Sequence, residues 1–281
     1  MPALSVVIPH RDDLAGLALC AEALRRQVGP AFEIVVADNG SACGMAAVAE
    51  AAPGCRVVHA PLPGAGPARN AGIAAARGEV IALLDSDCVP DPHWLAEGVA
   101  ALARHDIVGG RVVTTAADPA APTPVEAFEI VFNFDFRRYI ERVGFTGTGN
   151  MFVPRAVFYT VGPFRTGVAE DMEWCFRARA AGFRIGYAER AMVTHPARRD
   201  WAALRRRWAR LVAEHAALAR EEPHGRLRWM AKALAMPLSV PPHAWRVLRD
   251  DRLPGWEARL GAVTVLARLR LWRMREMLRA V

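Results

Sequence analysis

The sequence predicts an α/β fold, a mostly parallel sheet with helices on both faces, followed by a basic, Trp-rich helical segment. Three observations predict it. Short apolar runs alternate with stretches of helical spacing through the first two hundred residues, as βαβ units require. One run, Val80 to Leu84, ends at two carboxylates, Asp85 and Asp87, and a parallel sheet delivers such residues to its carboxyl edge, where ligand crevices lie. Finally, residues 200–281 hold 17 of the 36 Lys+Arg but 8 of the 29 Asp+Glu, a net +9, with six of the eight tryptophans. That break divides the chain into an α/β domain, 1–199, and a basic helical segment, 200–281.

Taken in order, Leu4-Ser5-Val6-Val7-Ile8-Pro9 reads as a buried strand stopped by Pro9, which cannot donate to a ladder. Asp12 or Asp13 is placed to cap a helix carrying Leu14, Leu17 and Leu24. A second strand, Phe32 to Ala37, ends at the turn cluster Asp38-Asn39-Gly40-Ser41. A helix through Met45–Ala52 and a strand Cys55–His59 follow, and Gly64-Ala65-Gly66-Pro67 opens an alanine-rich helix through Ala68–Ala76. Next comes the strand that ends at Asp85-Ser86-Asp87. Two carboxylates one residue apart repel unless a cation or donor-rich ligand lies between them, and oxygen ligands suit Mg²⁺ or Mn²⁺. The chain has one lysine, Lys232, and no complete glycine-rich fingerprint, so a P-loop or dinucleotide site is unsupported. Five cysteines without a Cys-x-x-Cys pair argue against a disulfide framework or zinc site and fit a reducing cytoplasm. Met1-Pro2-Ala3-Leu4-Ser5 lacks a signal-like start, and no apolar window is long enough to span a bilayer.

Four segments in this order carry a resemblance: Val6-Val7-Ile8-Pro9, Ile34-Val35-Val36-Ala37-Asp38-Asn39-Gly40-Ser41, Ala68-Arg69-Asn70-Ala71-Gly72 and Leu84-Asp85-Ser86-Asp87. Across roughly residues 4–215 the chain resembles the family 2 glycosyltransferases, which have the GT-A fold, a nucleotide-sugar-binding α/β sandwich. The resemblance implies that Pro9, Arg11 and Asp38 line the base and ribose pocket. Arg69 would reach the diphosphate, Asp85 and Ser86 the ribose, and Asp87 the metal. Arg11 departs from the tyrosine or asparagine frequent near its position.

Further along, Asp91 caps a helix with Pro92 in its first turn, residues 107–113 read as a strand, and residues 116–124 as a loop. Phe128, Phe132, Phe134, Phe136 and Tyr139 are core or acceptor-groove aromatics. In Thr146-Gly147-Thr148-Gly149-Asn150-Met151, glycines let backbone approach a ligand and Asn150 both donates and accepts; a bulged strand reads equally well. The resemblance sets Asn150 beside the donor sugar. Ala169-Glu170-Asp171-Met172 begins an amphipathic helix that puts Met172, Phe176 and Ala180 on one face and closes at Gly182. It matches the family's Glu-Asp segment, which makes Asp171 the general base, with Glu170 or Glu173 as orienting groups and Glu170 on the donor side. His195, after the strand Ala191–Thr194, matches the histidine that completes the metal site, so Mn²⁺ or Mg²⁺ is the implied cofactor.

In the last third, residues 201–222 read as one helix with Leu204, Trp208, Leu211, His215 and Leu218 on one side and arginines on the other. Arg207-Trp208 resembles part of the motif of processive family members, with Leu204 where glutamine would stand; Arg206 or Arg207 is then available to the leaving diphosphate. From Trp256 the positions Leu260, Val263, Ala267, Leu271, Met274, Leu278 and Val281 make an apolar stripe that packs or lies on an anionic membrane surface. No nucleic-acid motif is present. The implied activity is inverting, metal-dependent transfer of a sugar from a nucleoside-diphosphate sugar, a UDP-sugar by family frequency, to a hydroxyl acceptor, with lipid or polysaccharide precursors among the acceptors. A nucleotidyltransferase on a similar sheet and a non-catalytic membrane-surface scaffold are the alternatives.

Overall fold

In the computed structural model, residues 3–280 are described. Met1, Pro2 and Val281, the last position of the C-terminal stripe, lie outside the described residues. Among the described residues eight strands form one sheet: β1 Leu4–His10, β2 Phe32–Asp38, β3 Arg56–His59, β4 Val80–Leu84, β5 Val89–Pro90, β6 Ile107–Thr115, β7 Asn150–Pro154 and β8 Ile185–Pro196. Their order is β3-β2-β1-β4-β7-β6-β8-β5.

The first four strands are parallel neighbours. Beyond β4 the sheet turns antiparallel: β7 pairs with β4 and β6, and β5 pairs with β8. The parallel half is buried on both faces, which is why its strands read as unbroken apolar runs. Alternation divides each run between two cores. Val6, Ile8, Val36, Ala82 and Leu84 face one cluster with Leu17, Leu24 and Trp94. Val7, Val35, Ile81 and Leu83 face the other with Ile73, Phe158 and Trp174.

Three local expectations change. Pro9 does not stop β1 but pairs with Ala37 inside it. It is tolerated because β4 matches β1 only from Leu4 to Val7, leaving Pro9 with one strand neighbour. Asp91 is not the cap of the next helix, Trp94–Ala101; it holds the preceding turn by accepting the His93 and Trp94 backbone N–H groups. Helix Glu170–Ala180 buries Glu173, Trp174, Cys175 and Ala178, while Phe176 and Ala180 are exposed. The face rotates because Trp174 finds an aromatic cluster with Phe158 and Phe164 and donates its indole N–H to the Gly162 carbonyl.

The chain divides into two compact units. The first comprises residues up to Val113, Phe134–Thr166 and Glu170–His195, and holds nearly all of the sheet. The second comprises Thr114–Asn133, Gly167–Ala169 and residues from Pro196 onward, so it includes a stretch that the charge break does not register. Its core is helical. Helix Pro124–Phe132, opened by a Thr123–Glu126 capping box, packs on helix Gly255–Arg279. In the long helix, Ala258, Ala262, Val265, Leu266, Leu269 and Met277 are buried, whereas Leu260, Leu271 and Leu278 are exposed. The stripe stepping from Leu260 is therefore not the packed face. The packed face is the one carrying alanines, which allow helix backbones to approach.

Candidate active site

The site is built in the first unit at the carboxyl edge of the parallel strands. β1 ends at His10, β2 at Asp38 and β4 at Leu84, so Asp38 and the Asp85–Asp87 pair emerge at one edge. Because β7 runs antiparallel and pairs Asn150 with Leu84, Gly149 arrives beside Asp85. A Cβ on Gly149 would stand 2.6 Å from Asp85 Oδ2, so only glycine leaves that carboxylate its place. The β5–β8 register, Val89 opposite Thr194, sets the next residue, His195, against the chain just before Val89. His195 Nε2 lies 3.1 Å from Asp87 Oδ2.

Arg69 joins the acidic clusters. It is 4% exposed, and its guanidinium reaches Asp85 Oδ1 at 2.6 Å through Nη2 and Glu170 Oε1 at 2.9 Å through Nη1. Burial opposes the charge, but Asp85 and Glu170 more than offset it and hold the arginine above its usual pKa. Sequence reading sends Arg69 to a diphosphate; here both terminal nitrogens are directed at carboxylates, and the side chain ties the end of β4 to the first turn of helix Glu170–Ala180.

Asp171 follows Glu170 in the first turn of its helix. Its carboxyl is only partly exposed; desolvation, then the neighbouring Glu170, push its pKa up to about 6. The Met172 backbone N–H, 2.7 Å from Oδ1, and Arg69 pull the other way. The result is a carboxylate that ionises just below neutrality, the range suited to accepting a proton.

Asp38 is buried and accepts from Ser41 through both its backbone N–H and its hydroxyl, the latter at 2.5 Å. Beside it His10 is buried with neither ring nitrogen partnered within the protein, and burial lowers its pKa despite Asp38, Asp13 and Asp12. Strand order sets His10 at this edge between Pro9 and Arg11, but sequence reading gives it no role, because a lone histidine at a strand end carries no pattern. Pro9 and Ser86 are partly exposed at the same edge, and Arg11 is exposed, 3.5 Å from Asp12.

Asn150 is a correction. It is 0% exposed, donates to the Arg111 and Ala191 carbonyls at 2.9 Å each, and accepts from the Trp94 indole at 2.8 Å. Its amide is consumed in tying β6, β7 and β8 together, so it supports the site from beneath rather than touching a sugar. Arg207 belongs to the second unit, where it and Arg198 converge on buried Glu129 at 3.3 and 3.0 Å.

Among the described residues no group of three or more His, Cys, Asp or Glu side chains forms a metal cage. Asp87 and His195 nonetheless bring a carboxylate oxygen and an imidazole nitrogen together 3.1 Å apart, a donor pair that fits a divalent ion. Such an ion would take the rest of its ligands from water and substrate phosphates. All five cysteines are free thiols.

Residues 5–162 match the profile of Glycosyl transferase family 2. The chain belongs to this family. Glycosyltransferase AglE of Haloferax volcanii is 31% identical over 209 residues, covering 70% of this chain and 68% of that one. The pre-mycofactocin glycosyltransferase of Mycobacterium tuberculosis is 28% identical over 214 residues, 71% of this chain but 44% of the relative's length. The solved mannosyltransferase PcManGT of Pyrobaculum calidifontis, in complex with GDP-Man and Mn2+, superposes with a TM-score of 0.60 at 21% identity, covering 99% of this chain and 86% of that one. The fold is that of a GT-A glycosyltransferase, and the family 2 glycosyltransferase described here is an enzyme of that class.

Proposed function

We propose that the chain is an inverting, metal-dependent glycosyltransferase that moves a sugar from a nucleoside-diphosphate sugar to a hydroxyl acceptor. The observation that carries this reading is the Asp85–Arg69–Glu170 tie, which holds the donor-side carboxylates and the first turn of the Asp171 helix in one cleft edge. Asp38 accepts from an N–H on the base edge, with Pro9 and Arg11 beside it, and Asp85 and Ser86 take the ribose. UDP is the first donor to test by family frequency; GDP is the second, because PcManGT carries GDP-Man.

Asp87 and His195 would hold Mn²⁺ or Mg²⁺, and that ion would neutralise charge on the departing diphosphate as a Lewis acid. Asp171 takes the acceptor hydroxyl's proton while that oxygen bonds to the anomeric carbon from the face opposite the leaving group. The bond from that carbon to the diphosphate oxygen breaks, inverting the configuration. The acceptor is a lipid or polysaccharide precursor presented at the inner, anionic face of a cytoplasmic membrane, and no helix among the described residues is long and apolar enough to cross one.

Donor hydrolysis and transfer measured across UDP- and GDP-sugars, with and without Mn²⁺, test this reading. It requires turnover of at least one nucleotide sugar that falls with Asp171→Asn. Inertness toward the whole panel, or product of retained configuration, would overturn it.

A further inference from the structure

Two helices of the second compact unit turn leucines away from their packed faces. Helix Gly225–Leu234 buries Trp229 and Ala233 with Val212, Ala216 and Met277. Leu227 and Leu234, 65% and 62% exposed, project within roughly 20° of each other and about 130° around the helix from that face at about 100° per residue. Leu238, just beyond, is 78% exposed. Helix Gly255–Arg279 repeats the pattern. Leu260, Leu271 and Leu278 are exposed and project within roughly 20° of one another, about 160° from the centre of the buried face. The helices touch, and the Trp229 indole donates to the Met277 carbonyl at 2.9 Å.

Neither stripe contributes to the core, which each helix already serves with its other side. Basic residues border both: Arg226 and Arg228 beside the first, Arg268 and Arg275 along the second, where Glu257 shares the edge in the first turn. The unit also exposes Trp245 and Trp256, with Arg249 and Arg259 stacked on them. Residues 200–281 carry a net +9. An anionic bilayer complements everything at once: acyl chains take the leucines, the interface takes tryptophan, and headgroups take arginine.

We propose that the Leu227–Leu234 and Leu260–Leu271–Leu278 stripes dock this enzyme on an anionic lipid surface, the helices lying in the interface. This deepens the membrane-presented acceptor reading and rests on it for its purpose, but it is tested without any sugar donor.

The full chain is floated with vesicles of phosphatidylcholine alone or mixed with phosphatidylglycerol, beside the pairs Leu227→Gln/Leu234→Gln and Leu271→Gln/Leu278→Gln. The wild type floats with the anionic vesicles and is weakened by salt. Each Gln pair binds about tenfold less or worse, with an unchanged unfolding midpoint and unchanged donor hydrolysis in vesicle-free solution. Wild-type protein left behind by anionic vesicles would overturn the proposal, as would Gln pairs that float like wild type. A wild-type dimer that the Gln pairs dissociate, with no vesicle binding, would make a second copy the occupant instead. A chain that floats but turns over no donor would leave docking intact and remove the transferase mechanism.

Discussion

Asp171 holds its proton to about pH 6 because burial and Glu170 disfavour its charge. A base must be ionised to act, so kcat/KM should rise with pH through about 6 and level off above it; a pH–rate profile checks this. The folded-state pKa is raised, so this group's stabilisation is fully present below the ordinary carboxylate range and is lost as pH climbs through about 6. Asp171→Asn should lower turnover by roughly 10²–10⁴-fold while nucleotide affinity by calorimetry is kept. Asp87→Ala and His195→Ala should instead weaken nucleoside-diphosphate binding in Mn²⁺ by about tenfold or more, and change metal-free binding little. Asn150 behaves differently again. Asn150→Ala strands the buried Ala191 carbonyl, the half-buried Arg111 carbonyl and the Trp94 indole N–H, so it should lower stability by roughly 2–4 kcal/mol in denaturant titration. The residue types Asp85, Asp87 and Asp171 were legible because motifs at strand and helix ends fix their backbone positions. Asn150 was misread because its segment of glycines fits a ligand wall and a packed strand equally well until its partners are known.

Among the elements, β4 and β7 decide the cleft edge through one register. Leu84 opposite Asn150 puts Gly149 beside Asp85, so Gly149→Ala should displace that carboxylate and loosen its tie to Arg69. We expect nucleotide affinity to fall while far-UV circular dichroism is unchanged. The strands themselves were legible as apolar runs between turn residues. The antiparallel half was not, because an apolar run does not encode direction; β7 follows a connection that brings the chain back the other way. The helix after Glu170 was found, but its buried face was not. Periodicity offered Met172, Phe176 and Ala180, and the larger Trp174 won by stacking on Phe158 and reaching a carbonyl.

At the scale of the molecule, the second unit rests on charge buried inside a helical core. Glu129, 1% exposed, answers both Arg198 and Arg207, and Glu126 is held by backbone N–H groups of Ala117 and Thr123. Removing one member of such a knot leaves uncompensated charge. Glu129→Ala should therefore lower the stability of this unit by roughly 3–5 kcal/mol, read as an early transition on thermal unfolding. The composition of residues 200–281 revealed a basic, amphipathic segment, but a stripe in sequence has no partner until neighbouring helices choose a face.

By itself the sequence determined the family, the strand–helix alternation and the carboxylates and imidazole available for chemistry, because these follow from local pattern and motif order. Only the tertiary structure decided that Arg69 ties Asp85 to Glu170, that Asn150 belongs to the core, and which leucines face outward. Those are choices among partners distant along the chain, and burial and charge pairing resolve them only once the chain has closed on itself.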